Sequence, residues 1–332
     1  MGMKRTRRRF MTTLSLAGTA GLLRARRVSA AEGALETTKV RLFKTLGVCL
    51  APQYVAEGLL RAEGFTDVEY VDSTTMNIAG AIATGEYDFG LDFVSDHIFA
   101  LDRGSALTLL AGVHVGCYEL FAREGIRSIV ELKGKSVAVY TGYWPQYAVL
   151  ALTAAQVGLD PNKDIAWIES SQPMALFLDG KTDAFLSAFP FSQELRARRF
   201  GHVLFSTAED HPWSQYFCCM LGGNRDYVRK YPIATKRVIR AILKAADLCA
   251  NEPALVARRI VDAGFAGRYD HALEALQEID YDRWRDYDAE DSVRYYALRL
   301  RDVGLITSTP QKIIAERTDW RFFEELKREL KV

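Results

Sequence analysis

The heptapeptide Gly85-Glu86-Tyr87-Asp88-Phe89-Gly90-Leu91 returns, loosely, as Gly180-Lys181-Thr182-Asp183-Ala184-Phe185-Leu186. In each copy a glycine supplies the left-handed residue that stops a helix, an aspartate three positions on suits a tight turn, and an apolar run opens a buried strand. One such stretch is an ordinary helix-to-strand turn. Two of them, about one lobe apart, mark equivalent positions in two similar units.

The flanking sequence has the same grammar. Short β-branched or apolar runs at 40–43, 68–71, 89–91 and 107–113 alternate with helical patterns at 51–62, opened by Pro52, 77–84 and 95–103. A second set follows, with strands at 136–140, 165–168 and 184–187 and helices at 145–157 and 174–178. This alternation predicts an α/β protein with two sheets. After Asn224 the strands give way to helical patterns at 232–249, 252–261, 269–278, 289–302, 310–315 and 320–330, a helical C-terminal section expected to cap the first lobe. At 332 residues, 49% of them hydrophobic, the chain suits two lobes better than one compact domain.

The first thirty residues stand apart. Lys4, Arg5, Arg7, Arg8 and Arg9 precede an apolar stretch from 11 to 23, and Val28-Ser29-Ala30 is a small-residue cleavage signal, so the mature chain is expected to begin near Ala31. Thr6-Arg7-Arg8-Arg9-Phe10-Met11 fits the twin-arginine export pattern. The apolar stretch is shorter than the roughly 20 residues that span a bilayer. Of 43 Lys/Arg and 42 Asp/Glu, eight of the former and none of the latter lie in residues 1–30, so the mature chain carries a net charge of −7. An acidic exported chain argues against nucleic acid or an anionic membrane as partner. Five cysteines (Cys49, Cys117, Cys218, Cys219 and Cys249) form no disulfide framework, and adjacent Cys218-Cys219 lacks the CxxC spacing of redox and zinc sites, so they read as mostly buried thiols.

Four stretches carry a resemblance to a known family: residues 49–56 (CLAPQYVA), 85–90, Leu132-Lys133-Gly134-Lys135 with the strand behind it, and Lys230-Tyr231-Pro232 before a long helix. In this order, after an export signal, the chain resembles the substrate-binding proteins of nitrate/sulfonate/taurine-type ABC importers, whose fold is shared with the thiamine-pyrimidine synthase family. The resemblance implies a two-lobed periplasmic-binding-protein type II fold, with lobe 1 from 36–122 and 220–332, lobe 2 from 123–219, and hinges near 123–132 and 217–224. It further implies a monomer serving an inner-membrane permease and its ATPase after passage through the twin-arginine machinery, with no cofactor and no catalysis.

Ligands of open α/β sheets bind beyond the carboxyl ends of the strands. The loops there offer Lys44 and Cys49, then Asp92, Ser95 and Asp96, then His114 and Glu119. Ser95 and Asp96 equally suit N-caps, and His114 equally suits a structural role. Asp92 ends an apolar strand, where a carboxylate needs a donor, and a ligand role is favoured. In lobe 2, Tyr143 and Trp144 occupy the loop in which sulfonate and nitrate binders of the family carry small residues around an anion; large rings there favour a stacked heterocycle or an amine, while Trp144 also suits the core. Phe189, Phe191 and Tyr216 complete the set, with about half of these aromatics expected at the ligand. The expected ligand is a nitrogen-containing heterocycle or amine; the alternative is a sulfonate, nitrate or aromatic acid held by Lys44, Arg123 or a helix N-terminus. Two further alternatives are a pyrimidine-synthase-like enzyme, with His114 and Cys218-Cys219 as its nearest candidates, and an exported sensor module.

Overall fold

The computed structural model describes residues 33–72, 77–142 and 144–331, and of Trp144 the backbone alone. The export signal expected over 1–30, Tyr143 and the Trp144 side chain lie outside the described residues.

The first sheet is built from β1 (Lys39–Lys44), β2 (Asp67–Asp72), β3 (Phe89–Phe93) and β4 (Leu107–His114), joined from far along the chain by β10 (Cys219–Asn224), in the order β2-β1-β3-β10-β4. The second contains β5 (Tyr118–Ala122), β6 (Lys135–Tyr140), β7 (Ile165–Ser170), β8 (Ala184–Ala188) and β9 (His202–Ser206), in the order β7-β6-β8-β5-β9. The two are the same sheet drawn twice. Three parallel strands come first, and an antiparallel strand borrowed from the opposite side of the crossover comes fourth.

Around the first sheet lie α1 (Ala51–Val55), α2 (Glu57–Ala62), α3 (Ile78–Thr84) and α4 (Val94–Asp102); around the second, α5 (Trp144–Gln156), α6 (Pro173–Leu178) and α7 (Phe191–Arg198). The single helix expected over 51–62 is parted at Ala56, which keeps helical dihedrals. Gly85 and Gly180 both adopt φ near +77°, the helix stops read from the sequence. The aspartates that follow do the same work in each lobe. Asp88 accepts from the Arg41 backbone N–H at 2.7 Å, and Asp183 from that of Ser136 at 2.8 Å, tying the turn to the first strand of its own sheet.

The boundary expected after 122 is corrected by the pairing of Tyr118–Ala122 with β8 and β9: the chain leaves the first sheet after His114 and enters the second at Tyr118. It returns between Ser206 and Cys219, and the stretch 217–224 expected as a hinge is mostly strand β10. β5, α7, β9 and β10 were not anticipated, and Glu119 is therefore a strand residue of the second sheet rather than part of a loop.

Past β10 the chain is helical: α8 (Arg225–Lys230), α9 (Pro232–Asn251), α10 (Pro253–Asp262), α11 (Tyr269–Glu278), α12 (Ala289–Asp302), α13 (Pro310–Arg317) and α14 (Arg321–Glu329). Prolines at the first helical position start α9, α10 and α13, where the missing N–H costs nothing. This section anchors on the first lobe through Arg240 to Glu63 at 2.7 Å and Tyr281 Oη to the Val48 carbonyl at 2.8 Å. It also reaches the second, where Arg196 of α7 meets Glu278 at 2.6 Å and Gln156 donates to Tyr295 at 3.0 Å. Among the described residues no helix is long and apolar enough to cross a membrane.

Candidate functional site

A cleft of about 270 Å³ opens where the carboxyl ends of the two sheets face each other. Its lobe 1 wall is the Thr45–Leu50 turn after β1, with Ile78, Asp92 and Phe93; its lobe 2 wall is Tyr118, Tyr140, Gln146, Ala188, Phe189 and Phe191; Cys117 and Cys219 close its base at the two crossovers.

Two glutamines explain why the sheets open there. β1 and β3 pair only at Leu42 and Phe89, and β6 and β8 only at Val137–Ala138 with Ala184–Phe185, so β1 and β3 in the first sheet, like β6 and β8 in the second, diverge toward the cleft. In lobe 1 the fully buried Gln53 fills the gap, donating to the Phe43 carbonyl and accepting from the Leu91 N–H at 2.9 Å. In lobe 2 Gln146 does so, accepting from the Tyr140 N–H at 2.9 Å and donating to the Leu186 carbonyl at 2.6 Å. Each amide replaces the ladder bonds that splayed strands cannot make.

Of the residues picked from the sequence, Cys49, Asp92, Phe189 and Phe191 line this cleft. Asp92 is 2% exposed; its Oδ1 accepts from the Phe93 N–H at 2.7 Å. Burial, and then the charge of Asp96 beside it, hold its carboxyl well above the usual carboxylate range, so it favours the neutral form, which can donate as well as accept. Asp96 accepts from the Ala79 N–H and borders an adjoining hollow with Arg103 and Gly142.

The others lie elsewhere. α4 starts at Val94 with Phe93 as its N-cap, so Ser95 and Asp96 are first-turn residues rather than caps, and Ser95 is completely buried. Lys44 is drawn away by strand register, which sets it opposite Asp72; the two pair at 3.3 Å and the ammonium sits 5.7 Å from the Phe265 ring centre. His114 is fully buried behind the cleft, edge-on to Tyr281, with Nδ1 3.6 Å from Cys218 Sγ; burial lowers its pKa to about 4. Glu119 binds Arg196 at 2.8 Å in a separate hollow shared with Glu278. Tyr216 stacks on Tyr295 with ring centres 4.1 Å apart, and Trp213 packs in the core against Phe205.

Tyr118, Tyr140, Gln146 and Cys117 were not among the candidate contacts, and Cys219 was weighed only with Cys218 for the enzyme alternative. Cys117 lay within a loop expected at the cleft, and Tyr140 ends a strand whose carboxyl end had to face it. Nothing in the sequence placed Cys219 at the cleft, because only β10, an unanticipated strand, carries it there.

Two α/β lobes joined by two crossovers around a ligand-sized cleft define a bilobal binding-protein fold. Residues 50–255 match the model of the NMT1/THI5 like family, and the chain belongs to that family. Solved structures of the same fold include the alkanesulfonate-binding protein SsuA from Xanthomonas axonopodis pv. citri bound to MOPS, at 16% identity over 86% of this chain and 100% of that one, with a TM-score of 0.70. The periplasmic nitrate-binding protein NrtA from Synechocystis PCC 6803 aligns at 16% identity over 90% and 91% with a TM-score of 0.75. The periplasmic aliphatic sulphonate binding protein SsuA from Escherichia coli aligns at 16% over 86% and 92% with a TM-score of 0.65. No curated protein sequence matches the chain significantly.

Proposed function

We propose that the chain is an exported solute-binding protein of an ABC importer, and that it captures a small nitrogen-containing ring or amine between its lobes. The observation that carries the ligand class is the composition of the cleft. Among its described lining residues there is no lysine, arginine or histidine; there are five aromatic rings, from Phe93, Tyr118, Tyr140, Phe189 and Phe191, and the carboxyl of Asp92. An anion in such a site has no cation to offset its desolvation. A flat ring finds faces to stack on, and its nitrogen finds in Asp92 a group able to donate when neutral or to pair with a cation when ionised.

In this reading the lobes close on the ligand by turning about the two crossovers, and the closed form is what the inner-membrane permease and its ATPase engage. Residues 1–30 bring the chain to the periplasm by the twin-arginine route, where it works as a monomer; its task is capture, with no chemical step.

A thermal-shift screen of the purified chain against pyrimidines, amines, alkanesulfonates, aromatic acids and nitrate tests this. At a hundredfold excess over Kd a ligand stabilises by about 2.7 kcal/mol, roughly 4 °C for a chain of this size. Stabilisation by a heterocycle or amine, lost in Asp92→Ala, is the expected result. Stabilisation by nitrate or sulfonates alone overturns the ligand class.

A further inference from the structure

Four of the five cysteines come from three distant parts of the chain and meet at the base of the cleft. We infer that Cys49, Cys117 and Cys219 form a three-sulfur site for a thiophilic divalent d10 cation, with a further coordination position facing the bound solute.

Their Sγ atoms all lie within 4.8 Å of one another. An ion with metal–sulfur bonds of about 2.3 Å, bound at three corners of a tetrahedron, holds the sulfurs about 3.8 Å apart. The ion therefore fits after shifts of no more than about an ångström. The three stand on fixed elements: Cys49 in the short turn after β1, Cys117 at the first crossover with its N–H donating to Thr207 Oγ1 at 3.0 Å, and Cys219 as the first residue of β10, paired between β3 and β4. Fixed ligands of one soft type select a soft ion.

Access separates these three from the fourth thiol. Cys49, Cys117 and Cys219 line the cleft, whereas Cys218 does not; it contacts Cys117 at 3.2 Å and, with His114 and Cys219, makes a second convergence whose members are all buried. An ion arriving with the solute meets all three sulfurs of the first group and, of the second, Cys219 alone. Charge sets the valence. Among the described residues no lysine or arginine lines the cleft, so a buried net charge is costly. A divalent ion held by two thiolates and one neutral thiol is neutral overall, and its binding releases two protons to solvent. With three protein ligands the fourth tetrahedral position stays open, and here it opens onto the space assigned above to the ligand. The inference deepens that reading and rests on the cleft being the site of capture; its test needs no organic ligand, so the two fail separately.

The test is an anaerobic titration of the reduced full chain with Cd(II), followed by the sulfur-to-metal charge-transfer absorption, with Zn(II) as competitor. One equivalent should bind. Cys49→Ser, Cys117→Ser and Cys219→Ser should each weaken Kd by roughly a hundredfold or more, above the 10–100-fold typical of outer-sphere partners, while Cys218→Ser and Cys249→Ser change it by less than about threefold. Because a serine variant can lose its fold, each is checked by circular dichroism, and the cadmium NMR shift of the unmutated complex counts sulfur ligands without any substitution. Absence of saturation at one equivalent overturns the inference. So does loss of binding in Cys218→Ser with Cys49→Ser unaffected, which assigns the buried His114 group instead, and so does a Cys117–Cys218 disulfide whose reduction restores no binding. Heterocycle stabilisation of a chain that ignores Cd(II) sinks this inference and leaves the proposed function standing.

Discussion

Replacing Gln146 by leucine tests whether the cleft is held open by a side chain standing in for a missing strand ladder. Gln146 is fully buried, and its amide orientation is unambiguous, because the Tyr140 N–H can only donate to the oxygen and the Leu186 carbonyl can only accept from the nitrogen. Leucine is close in volume and fills the same space, so the change isolates the two hydrogen bonds. It leaves two buried backbone groups without partners, each costing about 1–3 kcal/mol, and the expected loss is about 2–6 kcal/mol in urea unfolding. Gln53→Leu should cost a similar amount, because Gln53 bridges the corresponding strands of the first sheet. The exposed Gln172 is the control, expected within about 0.5 kcal/mol. Because Tyr140 and Gln146 both line the cleft, Gln146→Leu should also weaken ligand binding. A loss under about 1 kcal/mol for both buried glutamines refutes the reasoning: the strands would then close their own gap, and the cleft would owe its shape to something else.

Glu278→Gln removes the nearer of the two C-terminal acids that Arg196 meets, Glu278 at 2.6 Å and Glu274 at 3.6 Å, breaking a contact with Glu278 that is less than one-third exposed on both sides. If that contact holds the lobes closed, the closed form should lose about 1 kcal/mol, seen as a roughly fivefold rise in Kd that high salt abolishes; an unchanged Kd at low salt counts against that role. His97 is fully buried, with Nε2 3.1 Å from the Met220 carbonyl, and burial lowers its pKa from 6.5 to about 4. The unfolded chain therefore binds a proton that the folded one refuses, so the stability present above pH 6.5 drains away as pH falls toward 4, by about 3 kcal/mol for this group. His97→Gln should flatten that part of the stability profile, and an unaltered profile contradicts the assignment. Gly116 adopts φ +64° on the first crossover, and a Cβ there would stand 2.4 Å from the Cα of Ala208 on the second. Gly116→Ala should cost about 2–4 kcal/mol in urea unfolding; a smaller loss means the crossovers can part freely.

The internal repeat was legible because turn chemistry is local: a glycine at positive φ and an aspartate three residues later are visible in any window that contains them. The paired glutamines were not, although they are its most exact structural expression. Gln53 lies 38 residues from the N–H that it satisfies, and Gln146 40 residues from the carbonyl it meets. Lys44 looked like an anion contact because it follows the apolar run 40–43, but it is the last residue of β1 and parallel register sets it opposite Asp72, and register is fixed by pairing rather than by the strand's own residues.

The cysteines show most plainly what spacing hides. Position along the chain gave Cys218-Cys219 no recognisable motif, and a motif is informative only when its ligands share one local element. Here the crossover topology does the gathering. The chain leaves the first sheet at His114, builds a second lobe, and returns with β10 inserted between β3 and β4, which sets Cys219 beside His114 in register and brings Cys218 against Cys117. Any fold that closes two lobes over two adjacent crossovers forces residues about a hundred positions apart into contact at the hinge. Such a hinge is where a ligand bound between the lobes would meet the segments that bend, and Cys117 and Cys219, standing at the two crossovers, would couple whatever they hold to closure itself.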